Sequence, residues 1–186
     1  MDKKRFRLEI KDELALINRN ELSHMSLSIS KNLQSLFPEF ISNNLKTKVL
    51  IGVYSPIQKE PVWFYEMKES LQVNFAMVNM KSQERINFFR MELSKIKNGC
   101  DLKLSLDNKK EEVIPDIILI PGLGFTKKFE RIGRGKGCYD RYLENFKGQK
   151  IGICFEKQIK EDVFATKQDV KMDMIITEKC IYKRGI

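Results

Sequence analysis

Apolar residues recur at Phe6, Ile10, Leu14 and Ile17, a spacing that predicts an amphipathic helix from about Lys3 to Ile17. Lys3, Arg7 and Lys11 follow the same interval of four, which stacks three cations in a stripe beside that apolar face. A second helix is predicted from about Glu21 to Leu36, with Leu22, Met25, Ile29, Leu33 and Leu36 inward and Pro38 helping to stop it. The pattern then changes. Val49 to Tyr54 is a short, nearly all-apolar run between polar flanks, as expected of a parallel strand buried on both faces. Pro61 is placed to open a helix through roughly Ser70. Val73–Val78 and Ile86–Met91 read as strands, and Asn98-Gly99 and Asp107-Asn108 are turn signals around a more polar excursion. Asp116–Ile120 is a further buried run, Gly137–Phe146 a helix, and Lys150–Phe155 and Met174–Thr177 two last strands. Strands alternating with helical segments predict a three-layer α/β/α fold with a mainly parallel central sheet. No linker, repeat or low-complexity tract divides the chain, so residues 1–186 are expected to form one domain.

The run Asp116–Ile120 empties into Pro121-Gly122-Leu123-Gly124-Phe125 and then Arg131-Ile132-Gly133-Arg134-Gly135-Lys136-Gly137-Cys138-Tyr139-Asp140-Arg141. Five glycines, three arginines and three lysines fall within about twenty residues there. Glycine lets backbone amides approach an anion without a Cβ in the way, and the cations neutralise its charge. Ligand crevices of open α/β sheets lie beyond the carboxyl ends of strands, where this loop begins. A polyphosphate site is therefore favoured over a merely solvated loop. The Walker spacing is missing, and Gly133-x-Gly135-x-Gly137 does not match the dinucleotide fingerprint. Asp140 has two open readings: a carboxylate for Mg²⁺ beside bound phosphates, or a helix-start carboxylate facing first-turn amides.

Composition narrows the class. The chain has 186 residues, enough to bury a core without staples. Four unpaired-looking cysteines and the single His24 make no Cys/His metal set, so disulfides and zinc are not expected and a cytoplasmic location is. No stretch has the length and apolarity of a membrane span or a signal peptide. A net charge of +9 fits an enzyme with anionic substrates, a nucleic-acid binder, or simply a lysine-rich composition. Phe125, Phe129 and Tyr139 among cations could stack bases, but no RNP-like or helix-turn-helix signature accompanies them.

The central loop resembles the signature of 5-formyltetrahydrofolate cyclo-ligases, also called methenyltetrahydrofolate synthetases. In that family an apolar strand runs into Pro-Gly-Leu-small-Phe and then a glycine- and arginine-rich loop ending in Tyr-Asp. Tyr54-Ser55-Pro56 with Glu60, Phe155-Glu156-Lys157-Gln158, and Asp169 and Asp173 before Ile175-Ile176-Thr177-Glu178 resemble further family elements in the right order. The resemblance implies ATP- and Mg²⁺-dependent cyclisation of 5-formyltetrahydrofolate to 5,10-methenyltetrahydrofolate, through a phosphorylated formyl group. It implies that Lys3, Arg7, Arg131, Ile132, Gly133, Arg134, Gly135, Lys136, Gly137, Cys138 and Tyr139 hold ATP. It assigns Tyr54, Glu60, Arg134, Gly135, Lys136, Gly137 and Cys138 to the folate, Asp140 and Asp169 to Mg²⁺, and catalytic roles to Arg134 and Lys136. The partners are then 5-formyltetrahydrofolate and ATP, without nucleic acid or membrane, in a monomer or weak homodimer. Two departures stand out. Cys138 replaces the aromatic that commonly precedes the Tyr-Asp pair, and the family's middle elements have no clear counterpart around Met77–Asn79 or between Asn98 and Lys110. A catalytically silent relative that binds folate or nucleotide is the alternative those departures keep open.

Overall fold

The computed structural model describes residues 3–43, 48–68, 70, 72–80, 85–91, 112–161 and 170–185. The turns expected at Asn98-Gly99 and Asp107-Asn108 lie outside them, as do Asp169 and the side chain of Lys3. Helices α1 (Lys3–Ala15), α2 (Arg19–Ser35) and α3 (Phe37–Asn43) come first. Strands β1 (Val49–Val53), β2 (Val73–Met80), β3 (Ile86–Met91), β4 (Glu112–Val113) and β5 (Ile117–Pro121) follow. A small hairpin, β6 (Gly124–Thr126) and β7 (Arg131–Ile132), leads to α4 (Cys138–Asn145). The chain finishes with β8 (Gln149–Ile153), β9 (Ile159–Lys160), β10 (Met174–Ile176) and β11 (Ile181–Lys183).

The main sheet has the order β11-β10-β8-β5-β1-β2-β3-β4. Its centre, from β10 through β8, β5 and β1 to β2, is parallel, and the outer pairs are antiparallel. Successive residues of the central strands feed opposite faces, the period of two that a pleated strand imposes. Val49, Ile51, Val53, Ile117, Leu119, Ile151 and Ile153 join Phe6, Ile10, Ile29, Leu33 and Phe40 of α1–α3 on one side. Leu50, Ile118, Ile120 and Ile175 join Tyr139 and Leu143 of α4, and Phe146 just after it, on the other. The predicted three-layer α/β/α architecture is the observed one. A second sheet, β7-β6-β9, caps the carboxyl end of β5. Among the described residues no helix is long and apolar enough to cross a membrane.

Helix α1 survives on its apolar face. Thirteen residues are marginal as an isolated helix, whereas burying Phe6, Ile10 and Leu14 contributes roughly 1.5–3 kcal/mol each. Helix α2 opens on a reciprocal cap: the Glu21 amide donates to Asn18 Oδ1 and the Asn18 amide to Glu21 Oε2.

α2 ends at Ser35 with Leu36 as its C-cap, close to where it is predicted to stop. Pro38 is also the second residue of α3, where its missing N–H would have had no intrahelical partner. One expectation is overturned. The segment after Pro61 is a set of turns, not a helix through Ser70. Its backbone groups are satisfied from α2 instead. The Val62 amide donates to Ser26 Oγ at 3.1 Å, Ser30 Oγ donates to the Trp63 carbonyl, and the Lys68 amide donates to Gln34 Oε1 at 2.8 Å. Glu66 at φ +52° breaks the helical path, and fully buried Trp63 anchors the segment, its Nε1 donating to the Tyr54 carbonyl.

Candidate active site

β1 connects outward to β2, whereas β5 continues through β8 to β10 on the opposite side, so the order in which strands are added reverses between the parallel neighbours β1 and β5. A crevice opens at that point in open α/β sheets, beyond the carboxyl ends of the strands. Here it holds a cavity of about 380 Å³. Tyr54 and Glu60 from the loop after β1, Pro121 at the end of β5 with Gly122 after it, and Arg131, Gly133, Arg134 and Lys136–Asp140 line it, with Ile57 and Val78 adding apolar wall. A second cavity of about 330 Å³ lies towards α1, lined by Lys11, Leu14, Lys59 and Gln158 among others. The two share Glu60, Gly122 and Arg134 as a common wall.

An ion pair forms that wall. Glu60, with a side chain only 10% exposed, receives Arg134 Nη2 at 3.0 Å and Nε at 3.3 Å on Oε1. Its Oε2 accepts the Ile57 amide at 3.1 Å. Burial pushes the Glu60 carboxyl above its ordinary range, partly offset by the Ile57 amide and the Arg134 guanidinium. Gln58 Oε1 receives Arg134 Nη1 at 3.2 Å, a tether with no sequence motif behind it. Gln58 itself sits at φ +52°.

Arg131 organises the opposite wall. Its Nε donates to the Pro121 carbonyl at 2.9 Å and its Nη1 to Asp140 Oδ1 at 3.0 Å, while its guanidinium carbon stands 5.0 Å from the Tyr139 ring centroid. Arg7 of α1 reaches the loop from below, Nε donating to the Gly133 carbonyl at 2.9 Å. Gly135 at φ +102° and Gly137 at φ +65° occupy backbone regions that L side chains rarely adopt, so the loop can turn and let α4 begin at Cys138.

The expected site residues separate accordingly. Arg131, Gly133, Arg134, Lys136, Gly137, Cys138, Tyr139, Asp140, Tyr54 and Glu60 line the cavity, while Arg7 and Gly135 stand beside each other in the loop's support without lining it. Ile132 does neither. Its side chain is buried in the core with α1, and its carbonyl accepts the Leu123 amide. Tyr54 contributes its ring, because its hydroxyl donates to the Pro61 carbonyl at 2.8 Å. Lys3 begins α1, and Asp169 lies outside the described residues. Gln158 satisfies backbone: Nε2 donates to the Gly122 and Leu123 carbonyls, and Oε1 accepts the Phe155 amide. Asp173 accepts the Lys150 amide and Arg184 and is likewise structural. Gln58 and Lys59 carry no local signal, since nothing in a single segment marks residues that meet only through the fold, whereas Lys11 of the predicted cation stripe lines the smaller cavity.

Residues 2–178 match the model of the 5-formyltetrahydrofolate cyclo-ligase family. The chain belongs to that family. A 5-formyltetrahydrofolate cyclo-ligase of Mycoplasma pneumoniae is 31% identical over 184 residues, covering 96% of this chain and 100% of its own. One from Mycoplasma genitalium is 30% identical over 168 residues, covering 87% and 89%. A solved 5,10-methenyltetrahydrofolate synthetase from Mycoplasma pneumoniae superposes with a TM-score of 0.75 at 27% identity, covering 96% of this chain and 99% of its own. The Aquifex aeolicus 5,10-methenyltetrahydrofolate synthetase superposes at 0.76 and 25% identity, covering 100% and 96%. This cyclo-ligase family member thus carries the family's fold as well as its central loop.

Asp140 is the described half of the expected Mg²⁺ pair. It lines the cavity, its side chain is 36% exposed, and Oδ1 is held by Arg131. One oriented carboxylate suits Mg²⁺, which takes one or two carboxylates and completes its shell with water and phosphate oxygens. Among the described residues no three His, Cys, Asp or Glu side chains gather as a cage.

Proposed function

We propose that the protein cyclises 5-formyltetrahydrofolate to 5,10-methenyltetrahydrofolate, consuming ATP and releasing ADP and phosphate. The observation that carries this reading is the cationic glycine loop forming one wall of an apolar-sided cavity at the β1/β5 switch point, in a chain of the cyclo-ligase family. The larger cavity receives the reduced pteridine against Tyr54, Ile57 and Val78. The loop residues Gly133–Gly137, with Arg7 behind them, hold the triphosphate.

In the reaction the formyl oxygen takes the γ-phosphoryl group as the bond to the β-phosphate oxygen breaks. N10 then attacks the activated carbon and loses its proton, and the carbon–oxygen bond breaks to release phosphate. Positioning and charge neutralisation dominate such a transfer. Arg134 stands on the wall between the two cavities and Lys136 on the larger one, so both can neutralise the phosphoryl group in flight. Glu60, close to Arg134 in the same wall, accepts N–H groups of the pteridine once the guanidinium engages phosphate. Mg²⁺, held by Asp140, would supply charge neutralisation on the phosphate oxygens. Arg131 keeps that carboxylate oriented.

The test is the near-ultraviolet absorbance of the methenyl product, measured with purified protein, 5-formyltetrahydrofolate and Mg²⁺, with and without ATP. ATP-dependent growth of that band is expected. No product from folded protein that binds ATP would overturn the reading in favour of a silent relative or a changed substrate.

A further inference from the structure

Two buried tyrosines face the larger cavity, and they differ in one respect. Tyr54 spends its hydroxyl on the Pro61 carbonyl. Tyr139, 5% exposed at the second position of α4, has a buried Oη with no hydrogen-bond partner among the described residues. No other buried side-chain nitrogen or oxygen among the described residues is left so. Buried polar groups are ordinarily paired, and an exception on a residue that lines a ligand cavity points to an interaction completed by something that binds. The ring is also held in place. Arg131 covers it at 5.0 Å, and Arg131 is itself tied to the Pro121 carbonyl and to Asp140. Leu143 of the same helix and Phe146 just after it belong to the same core cluster.

A tyrosine hydroxyl is a neutral hydrogen-bond donor near neutral pH, and here Arg131 fixes the ring that carries it. A neutral donor in a wall shared with Tyr54, Ile57 and Val78 suits an uncharged acceptor better than a phosphate, which the loop's cations and amides serve already. Tyr139 lines the larger cavity and not the smaller. Resting on the function proposed above, we infer that Tyr139 is a specificity-determining contact to the folate and not to the nucleotide: its Oη donates a hydrogen bond to a carbonyl or ring-nitrogen acceptor of the reduced pteridine.

Tyr139→Phe tests this, since it removes the hydroxyl and keeps the ring. The free variant should melt about 2–4 °C higher than wild type, because an unsatisfied buried group is gone. Its Kd for 5-formyltetrahydrofolate by calorimetry should weaken about tenfold, with a matching rise in KM. Its Kd for a non-hydrolysable ATP analogue should stay within about twofold. Unchanged folate affinity in a variant of a folate-binding wild type would overturn the inference alone. So would a comparable loss for the nucleotide analogue, or a lower melting temperature in the free variant. Failure of the wild type itself to bind 5-formyltetrahydrofolate would overturn the functional reading and this inference with it.

Discussion

Replacing Gly152 by alanine probes how the glycine loop is seated on the sheet. Gly152 lies in β8, pairs with Ile120 on one side and Ile175 on the other, and faces Phe125 of β6. A Cβ there would stand 2.6 Å from Cε1 and 2.9 Å from Cζ of the Phe125 ring. Carbon atoms pack at about 3.5–4.0 Å, so the ring would have to retreat by roughly 1 Å. It has little room, being fully buried and pressed from its far edge by Gly122, where a Cβ would meet it at 2.8 Å. Overpacking of this kind costs about 1–3 kcal/mol. The intrinsic effect of Gly→Ala in a strand runs the other way, by roughly 0.5–1 kcal/mol. The net expectation is a destabilisation of about 0.5–2 kcal/mol, or several degrees in Tm. In a Phe125→Leu background the clash disappears and Gly152→Ala should become neutral or stabilising. Urea denaturation of the four proteins in that cycle gives the coupling, expected near 1–2 kcal/mol. Additivity within about 0.5 kcal/mol, or a stabilised single variant, would refute the reasoning.

Three further outcomes are expected. Asp140→Asn should lose most turnover while its melting temperature falls little, because the pair with Arg131 is part-exposed and worth about 1 kcal/mol or less; wild-type-like turnover would remove Asp140 from the mechanism. Glu60 has a folded-state pKa raised by burial, so between the ordinary glutamate value of about 4.3 and the raised one the folded state binds more protons than the unfolded. Wild-type stability from this group is present below that window and lost as pH rises through it; Glu60→Gln should lack that loss, its stability relative to wild type rising from about pH 4 upward, and a flat difference in denaturation midpoints across that range would contradict the burial argument. Gly135→Ala at φ +102° should strain the exposed loop and weaken binding of a non-hydrolysable ATP analogue at least about tenfold, with little change in Tm; calorimetry showing wild-type affinity would exclude the loop from the nucleotide site.

Periodicity carried much of the fold. The four-residue spacing of Phe6, Ile10 and Leu14, the unbroken run in β1, and the apolar run ending at Pro121 each reflect burial that one segment expresses by itself. The loop from Arg131 to Asp140 was legible for the same reason, since positive-φ backbone and clustered cations leave their mark on consecutive residues. Pro61 was misleading because the hydrogen bonds that decide the conformation of residues 62–68 come from Ser26, Ser30 and Gln34 on another element. Pro38 was ambiguous because a proline stops one helix and opens the next with equal ease. Within the site, the sequence determined which residue types were available: glycines to bend, cations to neutralise, one acid after them. Only the tertiary structure decided that Arg134 meets Glu60, that Ile132 belongs to the core, that Tyr54 spends its hydroxyl and that Tyr139 does not. The physical reason is that a run of residues encodes its own backbone preferences, whereas the partner of a buried polar atom is set by whatever distant segment the fold brings within about 3 Å.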